Sequence, residues 1–161
     1  MQHAQPQQEH RWLNRLVGEW TFESECSMGP GQPPSKFHGA ESVRSLGGLW
    51  FVCESHGDMP GGGTCHNEMT LGYDPFRKRF VGTFIGSMMT NMWVYDGGLD
   101  AAATVLTLDT EGPSFVAEGK TAKYKDIIEF KSDDQRTLSS QCLGEDGQWH
   151  GFMTAHYRRK K

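Results

Sequence analysis

The chain has 161 residues, of which 20 are glycine and 36% are hydrophobic, and its formal net charge is -4. A chain of this length is expected to form one domain. The 20 glycines favour many turns. The one dense basic run, 158–161, is at the C-terminal end. Nucleic-acid binding needs basic residues spread over a face, so we expect no nucleic-acid partner.

The beginning of the chain and its cysteines indicate the compartment. Segment 1–8 is polar and is predicted to be a flexible extension of a single domain, 9–161. It lacks the regions of a secretion signal, and no stretch of the chain approaches the ~20 apolar residues of a membrane span. The four cysteines contain no C-x-x-C pair and are expected to be free thiols. The sequence therefore predicts a cytoplasmic protein without a membrane partner.

A short helix and ten strands are predicted in chain order. Residues 9–16 carry apolar side chains at helical spacing, and from Gly18 the apolar period changes to two, because Trp20 and Phe22 alternate with polar residues. After this first strand, which ends near Cys26, further strand-like runs occupy 36–46, 49–57, 65–73, 79–88, 92–97, 103–109, 119–131, 136–143 and 148–158.

Turn residues separate these runs and indicate a hairpin meander. Glycine, proline and Asp-Gly pairs predict loops or turns at 29–34, 47–48, 60–63, 74–75, 96–98, 111–113 and 146–147. Closing such a meander removes its exposed edges. The alternative, an immunoglobulin-like sandwich, has about seven strands and a Cys…Trp…Cys framework. We predict an all-β fold: a single up-and-down antiparallel β-barrel of about ten strands with a short N-terminal helix.

The stretch at 16–23, LVGEWTFE, resembles the start of lipocalin-like (calycin) barrels. In that family a Gly-x-Trp motif follows a short helix, and an arginine from the last strand stacks on the tryptophan. The matching residues here are Gly18 and Trp20, with Arg159 or Arg158. The resemblance implies that Trp20 and Arg159 meet and close one end of the barrel, where a desolvated guanidinium over an indole contributes on the order of 1–2 kcal/mol.

The whole chain is also similar to a bacterial domain-of-unknown-function family, number 1579. The similarity extends over 9–159 and rests on the blocks EHRWLNRLVGEWTFE, VRSLGGLWFV, MPGGG, MTLGYDP, RFVGTFIGSMM, LTLDTEGP, YKDIIEF and DGQWHGFMTAHYRR. The family carries no established activity, so the resemblance implies a fold and no reaction.

A barrel interior with apolar walls and a few polar groups predicts a binding site for a small, mostly apolar ligand of unknown identity. We expect aromatic and methionine side chains to line it and one or more glutamates to anchor the ligand. The predicted ligand-binding residues are Glu41, Trp50, Glu54, Glu68, Phe84, Met88 and Trp93. Phe80 and Tyr95 are further candidates for the lining, and Tyr124 or Asp126 for a polar contact.

Two other functions remain open. A Glu/His or Glu/Tyr pair could act as acid and base in a cofactor-independent enzyme, with Glu54 and His56 on one strand and His66 and Glu68 on the next. Alternatively, these side chains face solvent as the ordinary wet sides of their strands. An exposed aromatic face could instead form a homo-oligomer.

No metal and no cofactor is expected. His56, Asp58, Cys65 and His66 flank the loop 59–63, but their spacing matches no zinc template. Some haem-binding barrels of the lipocalin-like class use a histidine near the C-terminal end. The corresponding His156 has the parity of Arg158, so it should face out if Arg159 stacks on Trp20.

Overall fold

The computed structural model describes residues 2–27, 29, 31–59 and 61–161, and over these residues one helix precedes ten strands. The elements are α1 Gln8–Asn14, β1 Gly18–Cys26, β2 Ser35–Leu46, β3 Trp50–Asp58, β4 Thr64–Asp74, β5 Arg79–Gly86, β6 Trp93–Leu99, β7 Val105–Pro113, β8 Thr121–Phe130, β9 Gln135–Leu143 and β10 Trp149–Arg159. The predicted loops 29–34 and 60–63 include Pro30 and Pro60, which lie outside the described residues, as do Met1 and Met28.

The strands form one closed antiparallel barrel in which each strand pairs with its neighbours in the sequence. β1 pairs with β2 on one side and with β10 on the other, which closes the sheet on itself. The predicted all-β, up-and-down architecture is therefore confirmed. In the described part of the chain, no helix is long and apolar enough to cross a membrane.

The strand register determines which side chains face the interior, because directly opposed residues share a face of the sheet. One row of successive partners around the barrel is Val43, Cys53, Met69, Phe84 and Trp93. Four of the five are buried, and Phe84 is partly buried. Odd-numbered residues of β2, β3 and β4 thus point inward, whereas the inward residues of β5 are even-numbered.

The helix α1 covers one end of the barrel, which we call the closed end. Leu13 and Leu16 are essentially inaccessible to solvent and pack into the apolar core with Trp20. The indole of Trp20 donates a hydrogen bond to the carbonyl of Leu16, at 2.8 Å. A seven-residue helix is too short to be stable alone, so its burial against the barrel floor holds it in place.

Arg159 fastens the last strand to this end. Its guanidinium lies 4.2 Å from the ring centroid of Trp20, and it donates hydrogen bonds to the carbonyls of Val17 and Arg15, at 2.7 and 2.8 Å. Gly18 has a φ of 134°, and a Cβ there would lie 2.5 Å from the Arg159 Nη1 atom. The glycine is required both for this backbone conformation and for the approach of the arginine.

Replacing Gly18 with alanine is expected to lower the free energy of unfolding by about 1–3 kcal/mol from the backbone conformation alone, with a further cost from displacing Arg159. Gly62→Ala is the control, because Gly62 also has a positive φ beyond the left-handed helical region, 103°, but has nothing within 4 Å of its Cβ position. Urea denaturation of both variants measures the difference. Equal losses would show that the contact with Arg159 does not require glycine.

Two predicted turns are wrong. Residues 96–98 lie within β6, and the chain turns only after Leu99. Residues 111–113 lie within β7. In both places the glycine serves a close approach rather than a turn. A Cβ at Gly97 would lie 2.3 Å from the Thr107 carbonyl oxygen, and one at Gly112 would lie 2.3 Å from the Trp93 ring.

Candidate functional site

The barrel interior is filled at the closed end and hollow at the open end. Towards the closed end the interior is filled by side chains that are almost completely buried: Trp20, Phe51, Leu71, Leu106 and Ile128. Towards the opposite, open end there is a cavity of about 190 Å³. Its lining is formed by Met69, Phe84, Met89, Trp93, Tyr95, Thr110, Phe115, Tyr124, Asp126, Leu138, Ser140, Phe152 and Met153.

Asp126 is the charged residue in this lining. It lies on β8 opposite Leu108 of β7 and Ser140 of β9, at the depth where the filled core ends. The Tyr95 hydroxyl donates to its Oδ2 atom, and the Ser140 hydroxyl donates to its Oδ1 atom at 2.6 Å. Burial raises the pKa of the Asp126 carboxyl, and burial beside that carboxyl raises the pKa of Tyr95. The carboxyl is therefore held rigidly at the cavity floor by two neutral donors.

A second polar group, Thr110, lies one step closer to the opening. Its hydroxyl oxygen is buried and has no hydrogen-bond partner among the described residues. The hydroxyl of its cross-strand neighbour, Tyr124, is already used, because it donates to the Pro113 carbonyl at 2.7 Å. A buried hydroxyl without a partner is costly, so Thr110 is a group that a ligand could satisfy.

Aromatic rings form the walls near the opening. Trp93 and Tyr124 are 5.0 Å apart between centroids with their planes at 83°. Phe115 and Phe152 also stand nearly edge-to-face against Tyr124, at 5.4 and 6.2 Å. Phe115 comes from the β7–β8 loop and is 67% exposed at the rim. Rings set at steep angles to one another enclose the space on several sides.

The other buried carboxylate lies towards the closed end and has an ionic partner. Glu41 and Arg136 form an ion pair in which the arginine side chain is only 3% exposed. The Arg136 guanidinium also lies 3.9 Å from the ring centroid of Tyr157 and 4.6 Å from that of Trp20. This pair belongs to the packed core and does not line the cavity.

Residues 5–159 match the family described as "Protein of unknown function (DUF1579)". The chain belongs to this family. No curated protein matches this chain.

Several solved structures share the fold. Rv2717c from M. tuberculosis has a TM-score of 0.63 and 13% identity, with 98% of the DUF1579 chain and 100% of the other covered. The S-type phycobiliprotein lyase CPES from Guillardia theta has a TM-score of 0.61 and 14% identity, covering 95% and 93%. The structure of EF1p2_mFAP2b bound to DFHBI has a TM-score of 0.51 and 13% identity, covering 94% and 98%. At such identities the likeness shows the barrel fold alone.

The DUF1579 barrel brings only part of the predicted ligand-binding set to the cavity. Phe84 and Trp93 line it. Glu41 faces the interior but is paired with Arg136. Met88 does not line it: β5 ends at Gly86, so Met88 lies in the following turn and is 60% exposed. The adjacent Met89 contacts the cavity instead, and its sulfur accepts a hydrogen bond from the Trp93 indole at 2.9 Å.

The placement of Trp50, Glu54 and Glu68 in the interior is corrected by the structure. The pairing of Val43 with Cys53 directs the odd-numbered residues of β3 inward, so Trp50 and Glu54 face outward, as does Glu68 opposite Glu54 on β4. Trp50 packs over its cross-strand partner Gly72, where a Cβ would lie 2.4 Å from the indole. Glu54 lies 3.8 Å from the exposed Arg44 guanidinium.

The predicted Glu/His set does come together, but on the outer wall. His56 and His66 are cross-strand partners with ring centroids 6.3 Å apart, and both are exposed. His156 is also exposed. Among the described residues, no group of three or more His, Cys, Asp or Glu side chains is arranged to hold a metal ion. Glu54, His66 and Glu68 line an open groove of about 400 Å³ on this outer wall, next to Ile85 and Ser87.

Sequence reasoning missed several residues of the lining. Ser140 carries a weak signal, because it is a polar residue at the inward parity of β9 between Leu138 and Cys142. Phe115 carries none, since a loop residue has no periodicity that indicates its direction. Phe152 lies beside the bulge between Gly151 and Met153, where the alternation of a strand is interrupted.

Proposed function

We propose that this DUF1579 protein binds a small, mostly apolar ligand in the cavity at the open end of the barrel. The observation that carries the proposal is the polar floor of an otherwise apolar space: Asp126, held by Tyr95 and Ser140, faces a cavity walled by aromatic and methionine side chains. Binding sites commonly combine apolar walls with a few convergent polar groups that orient the ligand.

The size of the cavity limits the ligand. An apolar cavity of about 150 Å³ is large enough for benzene, and the space here is about 190 Å³. It is smaller than the roughly 300–1,000 Å³ of pockets that hold drug-sized molecules. The ligand is therefore a single-ring or short-chain compound, one end of which reaches Asp126 and the other the rim at Phe115.

Barrels of similar fold offer supporting context. One neighbour is named as a phycobiliprotein lyase, and another is described as bound to DFHBI.

The four cysteines of the DUF1579 protein are free thiols, which suits the reducing cytoplasmic compartment that we propose for it.

Two glycines provide a matched test of the site. Gly112→Ala adds a methyl group 2.3 Å from the Trp93 ring at the cavity, whereas Gly72→Ala adds one 2.4 Å from the Trp50 ring on the outer wall. Overpacking of this kind costs about 1–3 kcal/mol. We expect Gly112→Ala to weaken binding of toluene about tenfold, equivalent to about 1.4 kcal/mol, and Gly72→Ala to leave it unchanged.

Ligand-observed NMR titration of the folded variants measures both affinities. Failure of the unmodified protein to bind one-ring probes would overturn the proposed function. If both variants weaken toluene binding equally, the effect comes from a loss of overall stability and not from a change in the cavity.

The catalytic alternative has less support, because Glu54, His56, His66 and Glu68 face the outer wall. A homo-oligomer could bury exposed apolar side chains at the rim, such as Met88, Met92 and Phe115. Sedimentation of the purified protein addresses that alternative separately from the ligand titrations.

A further inference from the structure

We propose that the ligand carries a small organic ammonium group, which sits between the aromatic walls and pairs with the Asp126 carboxylate. This inference rests on the proposed function and names the class of ligand. It is drawn from the charge of the lining, from the arrangement of the rings and from a comparison of the two buried carboxylates in the barrel.

Among the described residues that line the cavity, Asp126 is the one charged side chain, and neither lysine, arginine nor histidine is present there. The hydroxyls of Tyr95 and Ser140 each donate to one of its oxygens. Both donors are neutral, so the carboxyl has no counterion among the described residues of the lining. Burial raises the pKa of this carboxyl, and a cation bound beside it would favour its ionised form.

Unlike Asp126, the buried carboxylate of Glu41 in the same barrel has a counterion. Glu41 is buried deeper and is neutralised by the Arg136 guanidinium. Burying a carboxylate is expensive unless it is paired with a positive charge. Asp126 instead faces the open space of the cavity, where a bound cation would occupy the place that Arg136 occupies beside Glu41. The chain supplies the Asp126 carboxyl but no positively charged partner among the described residues that line the cavity. A ligand would have to bring that charge.

Aromatic side chains form much of the cavity wall. Trp93, Phe115 and Phe152 surround Tyr124, and the plane angles of these three rings with Tyr124 lie between 61° and 83°. All four rings line the cavity, so a ligand there contacts aromatic surface on several sides. The faces of aromatic rings attract organic cations, by about 2 kcal/mol or more where the cation is desolvated. Met69, Met89 and Met153 add polarisable thioethers to the same lining.

The test compares phenyltrimethylammonium with tert-butylbenzene, which have the same shape and differ in the charge at the central atom. Isothermal titration or ligand-observed NMR gives the two dissociation constants for the full chain. We expect the cation to be preferred about tenfold. The variant Asp126→Asn should reduce that preference about tenfold while leaving tert-butylbenzene affinity within about threefold. Glu68→Gln, which neutralises an outward-facing carboxylate on β4, is the control and should change neither constant.

The outcomes separate the two proposals. Preference for tert-butylbenzene, or a preference for the cation that persists in Asp126→Asn, overturns the ammonium inference and leaves the proposed function standing. Binding of neither probe overturns both. If Asp126→Asn does not fold, benzoate replaces it as the measurement on the unmodified protein: benzoate binding more tightly than tert-butylbenzene contradicts a site for cations, and exclusion of benzoate supports one.

Discussion

Replacing Trp20 with alanine is expected to lower the free energy of unfolding by about 3–5 kcal/mol. The side chain is completely buried, and the Arg159 and Arg136 guanidinium groups lie 4.2 and 4.6 Å from its ring centroid. Its removal leaves a large cavity and withdraws the apolar surface from both cations. The hydrogen bond to the carbonyl of Leu16, in the segment that joins α1 to β1, is also lost.

The control for this prediction is Trp50→Ala. Trp50 is the same residue type but is 45% exposed on the outer wall, so its loss should cost less than half as much. Chemical denaturation followed by far-ultraviolet circular dichroism measures both variants without relying on tryptophan fluorescence. Similar costs for the two tryptophans would mean that Trp20 is not the residue that holds the closed end together.

Removing one member of the buried ion pair is the second large effect. Arg136→Met should destabilise the protein by about 3–5 kcal/mol, because it leaves the Glu41 carboxylate buried without its counterion. Methionine retains an apolar side chain beside Trp20 and Tyr157, where Arg136 now packs. The loss therefore reports mainly on the charge rather than on a cavity.

The double variant Glu41→Leu with Arg136→Met should recover most of the lost stability. Replacing both members of a buried pair with apolar residues is often neutral or stabilising, so the two substitutions should be strongly non-additive in a double-mutant cycle. Additive costs would show that Glu41 and Arg136 contribute independently, through packing alone. Neither residue lines the cavity, so toluene binding by folded variants should be retained.

The fold could be predicted from the sequence because its determinants are local. Alternating apolar residues and short turns such as 146–147 specify strands and hairpins without knowledge of distant contacts. The motif at Gly18 and Trp20 adds one long-range contact, with Arg159. The errors at 96–98 and 111–113 arose because glycine there accommodates a neighbouring strand or ring rather than a turn, and sequence composition does not distinguish the two uses.

The candidate site was harder to predict because it depends on strand parity. β3 begins with apolar residues at both parities, Trp50 and Phe51 followed by Val52 and Cys53, so its hydrophobic pattern does not identify an inner face. The face is determined by the register with β2 and by Gly72, which makes room for Trp50 outside. A one-residue difference in parity exchanges the whole set of inward side chains, so the sequence pattern alone wrongly predicts that Glu54 and Glu68 face the interior.

The pairing of β1 with β10 has a consequence for the order of folding. Trp20 is opposite Arg159 in that ladder, so the contact that seals the barrel joins nearly the two ends of the sequence. Forming it carries the chain-entropy cost of a very long loop. During synthesis, β1 and the newest strand remain exposed edges until β10 has emerged, and exposed edges promote association with other chains. Closure is thus a late event, and the interval before it is when a nascent barrel depends most on protection from aggregation.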